Sequence, residues 1–167
     1  MAGEIAALGV KLLYAPETTA GTRPTTGYKE KATAGTLALA DYITGITGLT
    51  SDIETAEVTP ISTPQYGRRQ FIPTLYGNDG NIKLNCNINP TSRSDWNAIC
   101  TEHAALTSGK SFWWQVVLPG DTQGYFFRGE PVPMQMPDLN VGEAVQGEVQ
   151  IVESDNDGWQ TASIPSA

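Results

Sequence analysis

The stretch Asn81-Ile82-Lys83-Leu84-Asn85-Cys86-Asn87-Ile88-Asn89 alternates polar and apolar residues without a break. Successive side chains on a strand point to opposite faces, so the run predicts a strand with one face in a core and an amide-rich face turned away from it. Gly77-Asn78-Asp79-Gly80 precedes it with Asp-Gly hairpin chemistry. Downstream, residues 112–118 predict a strand with Phe112, Trp114, Val116 and Leu118 on one face. Pro119-Gly120-Asp121 turns the chain there, and residues 124–128 return it. A fourth strand ends at Val152, with Val145, Val149 and Ile151 toward the core and Gln146, Glu148 and Gln150 on the other surface. Residues 42–49 and 53–59 add further strands. One helix interrupts them, capped by Thr91 or Ser92, with Trp96, Ile99, Cys100, His103 and Ala104 at helical spacing and Gly109 at its end. Strands on both sides of a single helix predict a mainly β chain, a β-sandwich or barrel with one flanking α-helix.

Composition agrees. The chain has 167 residues, suited to one domain, and only 17% are charged, well under the usual quarter. Gly, Thr, Ser and Pro fill the difference, which disfavours a helical bundle. No apolar run approaches the ~18 residues of a membrane span, so no membrane partner is expected. Three segments lack periodicity: an N-terminal arm over about 14–41, rich in Thr, Gly and Pro, a long loop over about 59–73, and a polar C-terminal tail over about 156–167 that holds Trp159. Nothing in the first residues resembles a secretion signal, so intracellular synthesis with Cys86 and Cys100 reduced is the expectation.

The net charge of -8 is unevenly distributed. Residues 1–110 carry nine Lys/Arg and ten Asp/Glu, whereas residues 111–167 carry Arg128 alone against eight acids. That is no nucleic-acid footprint, since phosphate affinity comes from clustered Lys and Arg.

Catalytic motifs are equally scarce. There is no glycine-rich phosphate loop, nucleophile elbow or His-Glu zinc signature. His103 lies on the apolar helix face, where a core or interface histidine is the expectation. Cys86, Cys100 and His103 lack paired metal-ligand spacing. Glu153, Asp155 and Asp157 precede Gly158 like the start of a calcium loop, but Ile164 stands where the closing acid belongs. No enzyme activity, cofactor or metal is expected.

The adjacent pairs Trp113–Trp114 and Phe126–Phe127 are more informative. Neighbours on a strand face opposite ways, so this hairpin carries large aromatics on both faces and must be covered on both. A second internal layer and a subunit interface are equally open on these residues alone.

In arrangement the chain resembles the major tail (tail tube) proteins of long-tailed bacteriophages. The resemblance runs from Leu13-Tyr14-Ala15-Pro16-Glu17 and the Thr/Gly-rich arm through Ile46-Thr47-Gly48-Leu49 and Glu54-Thr55-Ala56-Glu57-Val58-Thr59. It continues with Gly80-Asn81-Ile82-Lys83-Leu84, the helix near Trp96, Trp114-Gln115-Val116-Val117-Leu118-Pro119, Tyr125-Phe126-Phe127-Arg128-Gly129 and Val149-Gln150-Ile151. It implies hexameric rings stacked into a virion tube, assembled in the host cytoplasm together with a tape-measure protein and other tail proteins. DNA would pass through the lumen without tight binding. It further implies an inter-subunit role for Tyr66, Arg68, Arg69 and Phe71 in the long loop, and a lumen lined by strand polar faces. Of these, the acidic set Gln146, Glu148 and Gln150 is preferred over Lys83, Asn85 and Asn87. A related secretion-system tube or tail terminator shares these expectations. A carbohydrate-binding β-sandwich would use Trp113, Trp114 and Trp159 as sugar platforms, and a hydrolase is disfavoured by the single histidine.

Overall fold

The computed structural model describes residues 9–49, 52–62, 67–77 and 80–164, with the backbone alone at 52–54 and 73–77. It is mainly β. Eight strands, β1 (Lys11–Pro16), β2 (Ile43–Thr47), β3 (Asp52–Glu57), β4 (Phe71–Gly77), β5 (Asn81–Asn87), β6 (Phe112–Val117), β7 (Gln123–Pro131) and β8 (Gln146–Thr161), accompany the short helix α1 (Leu39–Tyr42) and the longer α2 (Pro90–Ala104). Six strands form one antiparallel sheet in the order β1-β6-β7-β8-β5-β2, and β3 and β4 pair with each other in a second. Among the described residues neither sheet closes on itself, so the expectation of a sandwich or barrel is met only as a six-stranded antiparallel sheet with a small second sheet.

The quoted alternation on β5 is borne out directly. Ile82, Leu84 and Cys86 are buried while Asn81, Lys83, Asn85 and Asn87 are exposed. The buried set joins Leu12, Tyr14, Phe112, Trp114, Val116, Phe127, Val149 and Ile151 on the core face, which α2 covers with Trp96 and Ile99 and α1 with Leu39 and Tyr42. Trp114 lies between Trp96 and Phe127, with ring centroids 6.1 and 6.5 Å away and planes within 26° and 9°. Each such ring removes about 150–250 Å² from water, about 4–6 kcal/mol at ~25 cal/mol per Å² before ordering is counted. Position 129 must be glycine for this packing, because a Cβ there would lie 2.4 Å from Ile151 Cγ2.

Several boundaries differ from the sequence reading. Residues 14–16, read as arm, close β1. Its residues Leu12–Ala15 are buried on both faces, so the period-two signal is erased. The cap of α2 is Asn89, one residue before Pro90, rather than Thr91 or Ser92. The Asn89 carboxamide oxygen accepts from Ser92 N at 2.9 Å while Ser92 Oγ accepts from Asn89 N at 3.0 Å. The helix ends at Ala104, and Gly109, with φ 85°, belongs to the following turn. β4 and β5 lie in different sheets and do not pair with each other, and Asn78 and Asp79 of the expected turn lie outside the described residues. Phe71, Ile72 and Pro73 begin β4 rather than ending the loop, and residues 156–161 extend β8 rather than forming a tail. The tail reading failed because its apolar anchors are sparse and bulges interrupt the β7–β8 register after Phe126 and Arg128.

Candidate functional site

The face of the large sheet turned away from α2 divides into two halves. On the β5–β8 half, Asn87 stands opposite Gln146, Asn85 opposite Glu148 and Lys83 opposite Gln150. Directly paired residues project to the same side, so the two polar sets treated as alternatives in the sequence are one surface. They are therefore not alternatives: whichever way this face turns, Lys83 turns with Glu148. Gln146 Nε2 donates to Asn87 Oδ1 at 3.1 Å, and Thr47 of the edge strand β2 extends the surface opposite Lys83. Lys83 and Glu148 offset one another among side-chain amides. Val145, expected in the core, is exposed just before β8, while Val149 and Ile151 are buried as expected.

On the β1–β6–β7 half the same face is aromatic, and the chain covers it. Trp113 and Phe126 join Leu13, Ala15 and Val117 there under Tyr28, while Trp114 and Phe127 are buried on the α2 side. All four candidate aromatics thus lie inside the chain. The N-terminal segment 17–38, here termed the strap, supplies the second layer through Tyr28, with Ala162 beside it, and its later residues Ala32 and Leu37 pack on the α2 side. Tyr28 meets the Phe126 ring edge-on at 5.5 Å, and the Arg23 guanidinium lies 4.5 Å above the same ring while its Nε contacts Asp157 at 2.8 Å.

The strap's deepest anchor is Glu17. Its buried carboxylate accepts from Arg128 Nε at 2.6 Å, Trp113 Nε1 at 2.8 Å and the backbone amides of Gly21 and Ser111, each at 3.1 Å. Burial alone pushes this carboxyl up, but the donors from Arg128, Gly21, Ser111 and Trp113 together outweigh it and hold the group below the ordinary glutamate range. Further along, Glu102 of α2 accepts from Lys29 Nζ at 2.8 Å, Thr33 N at 2.8 Å and Tyr14 Oη at 2.9 Å. Asp95 of α2 accepts from Thr36 N at 2.9 Å and Leu37 N. Every ion pair among the described residues except Arg69–Glu57 has a partner between positions 17 and 30. Sequence reasoning missed this latch.

Two other segments expose apolar side chains. The β3–β4 hairpin carries Val58, Ile61, Phe71 and Ile72 in solvent beside Arg68 and Arg69, and Arg69 Nε stands 3.9 Å from Glu57. Tyr66 lies outside the described residues. Residues 132–145, between β7 and β8, expose Met136, Leu139, Val141 and Val145. The sequence reading passed over this second segment because it has no periodicity to detect.

The remaining candidates have modest chemistry. His103 Nε2 sits 3.1 Å from Ser111 Oγ with its ring edge against Phe112, and burial lowers its pKa. Burial pushes the Cys100 thiol up to about 11 and raises that of Cys86 as well, which disfavours the thiolate needed for metal ligation or nucleophilic attack. Among the described residues no group of three or more His, Cys, Asp or Glu is placed to hold a metal ion, and no helix is long and apolar enough to cross a membrane. Of the three tryptophans weighed as sugar platforms, only Trp159 is exposed, edge-on to Tyr125 at 5.5 Å. In comparisons with known proteins, no protein-family model and no curated protein matches this chain.

Proposed function

We propose that the chain is a structural subunit that assembles into stacked hexameric rings, forming a phage tail tube through which DNA passes. The observation that carries this reading is the division of one sheet face. Its aromatic half is sealed by the strap, while its amide half is left bare beside the edge strand β2. An exposed strand edge is a template for pairing with another chain. Sheets joined edge to edge around a ring would close into the barrel that one chain lacks, with Lys83, Asn85, Asn87, Gln146, Glu148 and Gln150 turned inward. Such a lining suits a conduit for a polyanion, because amides and offset charges give phosphate little to hold. The hairpin bearing Arg68, Arg69 and Phe71 is assigned to contacts between subunits, and the lumen would also admit a tape-measure protein during assembly in the host cytoplasm. A tail terminator or secretion-system tube is the neighbouring reading, and the same amide surface supports it.

Negative-stain electron microscopy of purified protein, with size exclusion across a concentration series, tests the proposal. Six-fold rings or tubes growing with concentration are expected. A monomer at every concentration would overturn it.

A further inference from the structure

The exposed large hydrophobic side chains are not scattered singly, as on an ordinary surface. Most sit on two segments: Val58, Ile61, Phe71 and Ile72 on the β3–β4 hairpin, and Met136, Leu139, Val141 and Val145 on residues 132–145. Ile61 and Val141 are wholly in solvent. The two segments differ in charge. Arg68 makes no ion pair among the described residues, and Arg69 reaches only Glu57 at 3.9 Å with both side chains well exposed. The other segment includes Asp138 and Glu143, both exposed, and no Lys or Arg occurs anywhere from Gly129 to Ala167.

We infer that residues 132–145 are the docking surface for the β3–β4 hairpin of a second copy of this chain. Arg68 and Arg69 would face Asp138 and Glu143, while Ile61 and Phe71 pack on Leu139 and Val141. Apolar side chains at the centre of such a contact supply the affinity, and charges at its rim set register and orientation. The contact joins different patches on the two copies. It is therefore heterologous, the kind that builds rings or open filaments rather than closed two-fold pairs. The inference rests on the self-assembly proposed above and names the acceptor for its hairpin.

Two variants test it. Arg68→Glu/Arg69→Glu removes the donor and leaves the loop intact; Leu139→Asp/Val141→Asp removes the acceptor and leaves the hairpin intact. All four residues are exposed, so each variant should melt as the parent does, which circular dichroism checks. Sedimentation velocity should show at least a tenfold rise in the concentration needed for association in each variant alone. At concentrations where each variant alone stays monomeric, an equimolar mixture should give a one-to-one complex, because each partner retains one functional half. Parent-like assembly of the loop variant, or a mixture that stays monomeric, overturns the inference. If the loop variant still forms tubes, the acceptor is wrong and the tube reading stands. If the mixture pairs but the parent forms only open chains, the acceptor is right and the tube reading falls. A parent that never associates removes both.

Discussion

The strap (residues 17–38) and the β3–β4 hairpin look alike as sequence. Both are rich in Thr, Pro and Gly, and each carries two or three basic residues. Folded, they are opposites. The strap's charged side chains find partners on the body of the same chain, as with Glu17 on Arg128, Arg23 on Asp157 and Lys29 on Glu102. The hairpin's strands pair only with each other, and its arginines face solvent. Composition therefore does not decide whether an irregular segment belongs to the fold. What decides it is whether partners of opposite charge wait at the place the segment reaches.

Glu17→Ala breaks the comparison most severely. Removing one member of a buried, hydrogen-bonded ion pair typically costs about 3–5 kcal/mol, because the remaining charge loses its compensation. Here Arg128 would lose its carboxylate and Trp113 Nε1 its acceptor. Urea unfolding should report a loss of that order, and a change below ~1 kcal/mol would show that the latch is ornamental.

Acid probes the same group. The Glu17 carboxyl is held below its unfolded value, about 4.3 for a free glutamate. Its contribution is therefore full above that value and is lost as pH falls through the depressed folded value. Glu102, lowered against its burial by Lys29, Thr33 and Tyr14, acts in the same direction. Hydrogen exchange below the ordinary carboxyl range should release the strap amides before those of β5 and β8. Simultaneous loss of protection in all three would count against a separable strap.

Arg23→Ala should do much less. Its partner Asp157 is more than a third exposed, so solvent screens the pair, and exposed pairs contribute under ~1 kcal/mol. Losing the contact with the Phe126 ring adds a similar amount. The expected result is faster exchange near Tyr28 with little shift in the melting midpoint. A shift as large as that of Glu17→Ala would move the main anchor to Arg23.

These differences explain what was legible in the sequence. β6, buried on both faces, was plain from the turn that follows it and from the doubled aromatics of β6 and β7. Alternation marked β5, because a half-exposed strand prints its environment as a period of two. β1 was unreadable for the opposite reason, since Leu12–Ala15 are buried on both sides. The two polar strand faces were each identified correctly, but register across strands is a long-range fact, and only pairing showed Glu148 and Lys83 on one surface. The latch left one faint signal: Arg128 is the lone basic residue after position 110. An isolated charge of the minority sign within an aromatic strand calls for a buried partner, and Glu17 stands at the other end of the chain.

The smallest structural effect belongs to Glu148→Lys, and it separates the bare half of the sheet from everything discussed so far. Glu148 is exposed, stands opposite Asn85 on β5, and makes no ion pair among the described residues. Its replacement should leave stability within ~0.5 kcal/mol of the parent and leave association unchanged. With Lys83 on the same surface, however, the patch would pass from balanced to two positive charges per chain, repeated around the proposed ring. Lysines focused in a narrow conduit attract phosphate and release its counterions. Particles carrying the variant should therefore assemble, package and adsorb normally yet eject DNA slowly, with the defect easing as salt is raised. Lys83→Glu should leave ejection intact, because it removes an attraction rather than creating one. Normal ejection by the Glu148→Lys particles, or a tube map placing residue 148 on the outer wall, would detach the amide surface from the lumen and leave the strap and hairpin arguments untouched.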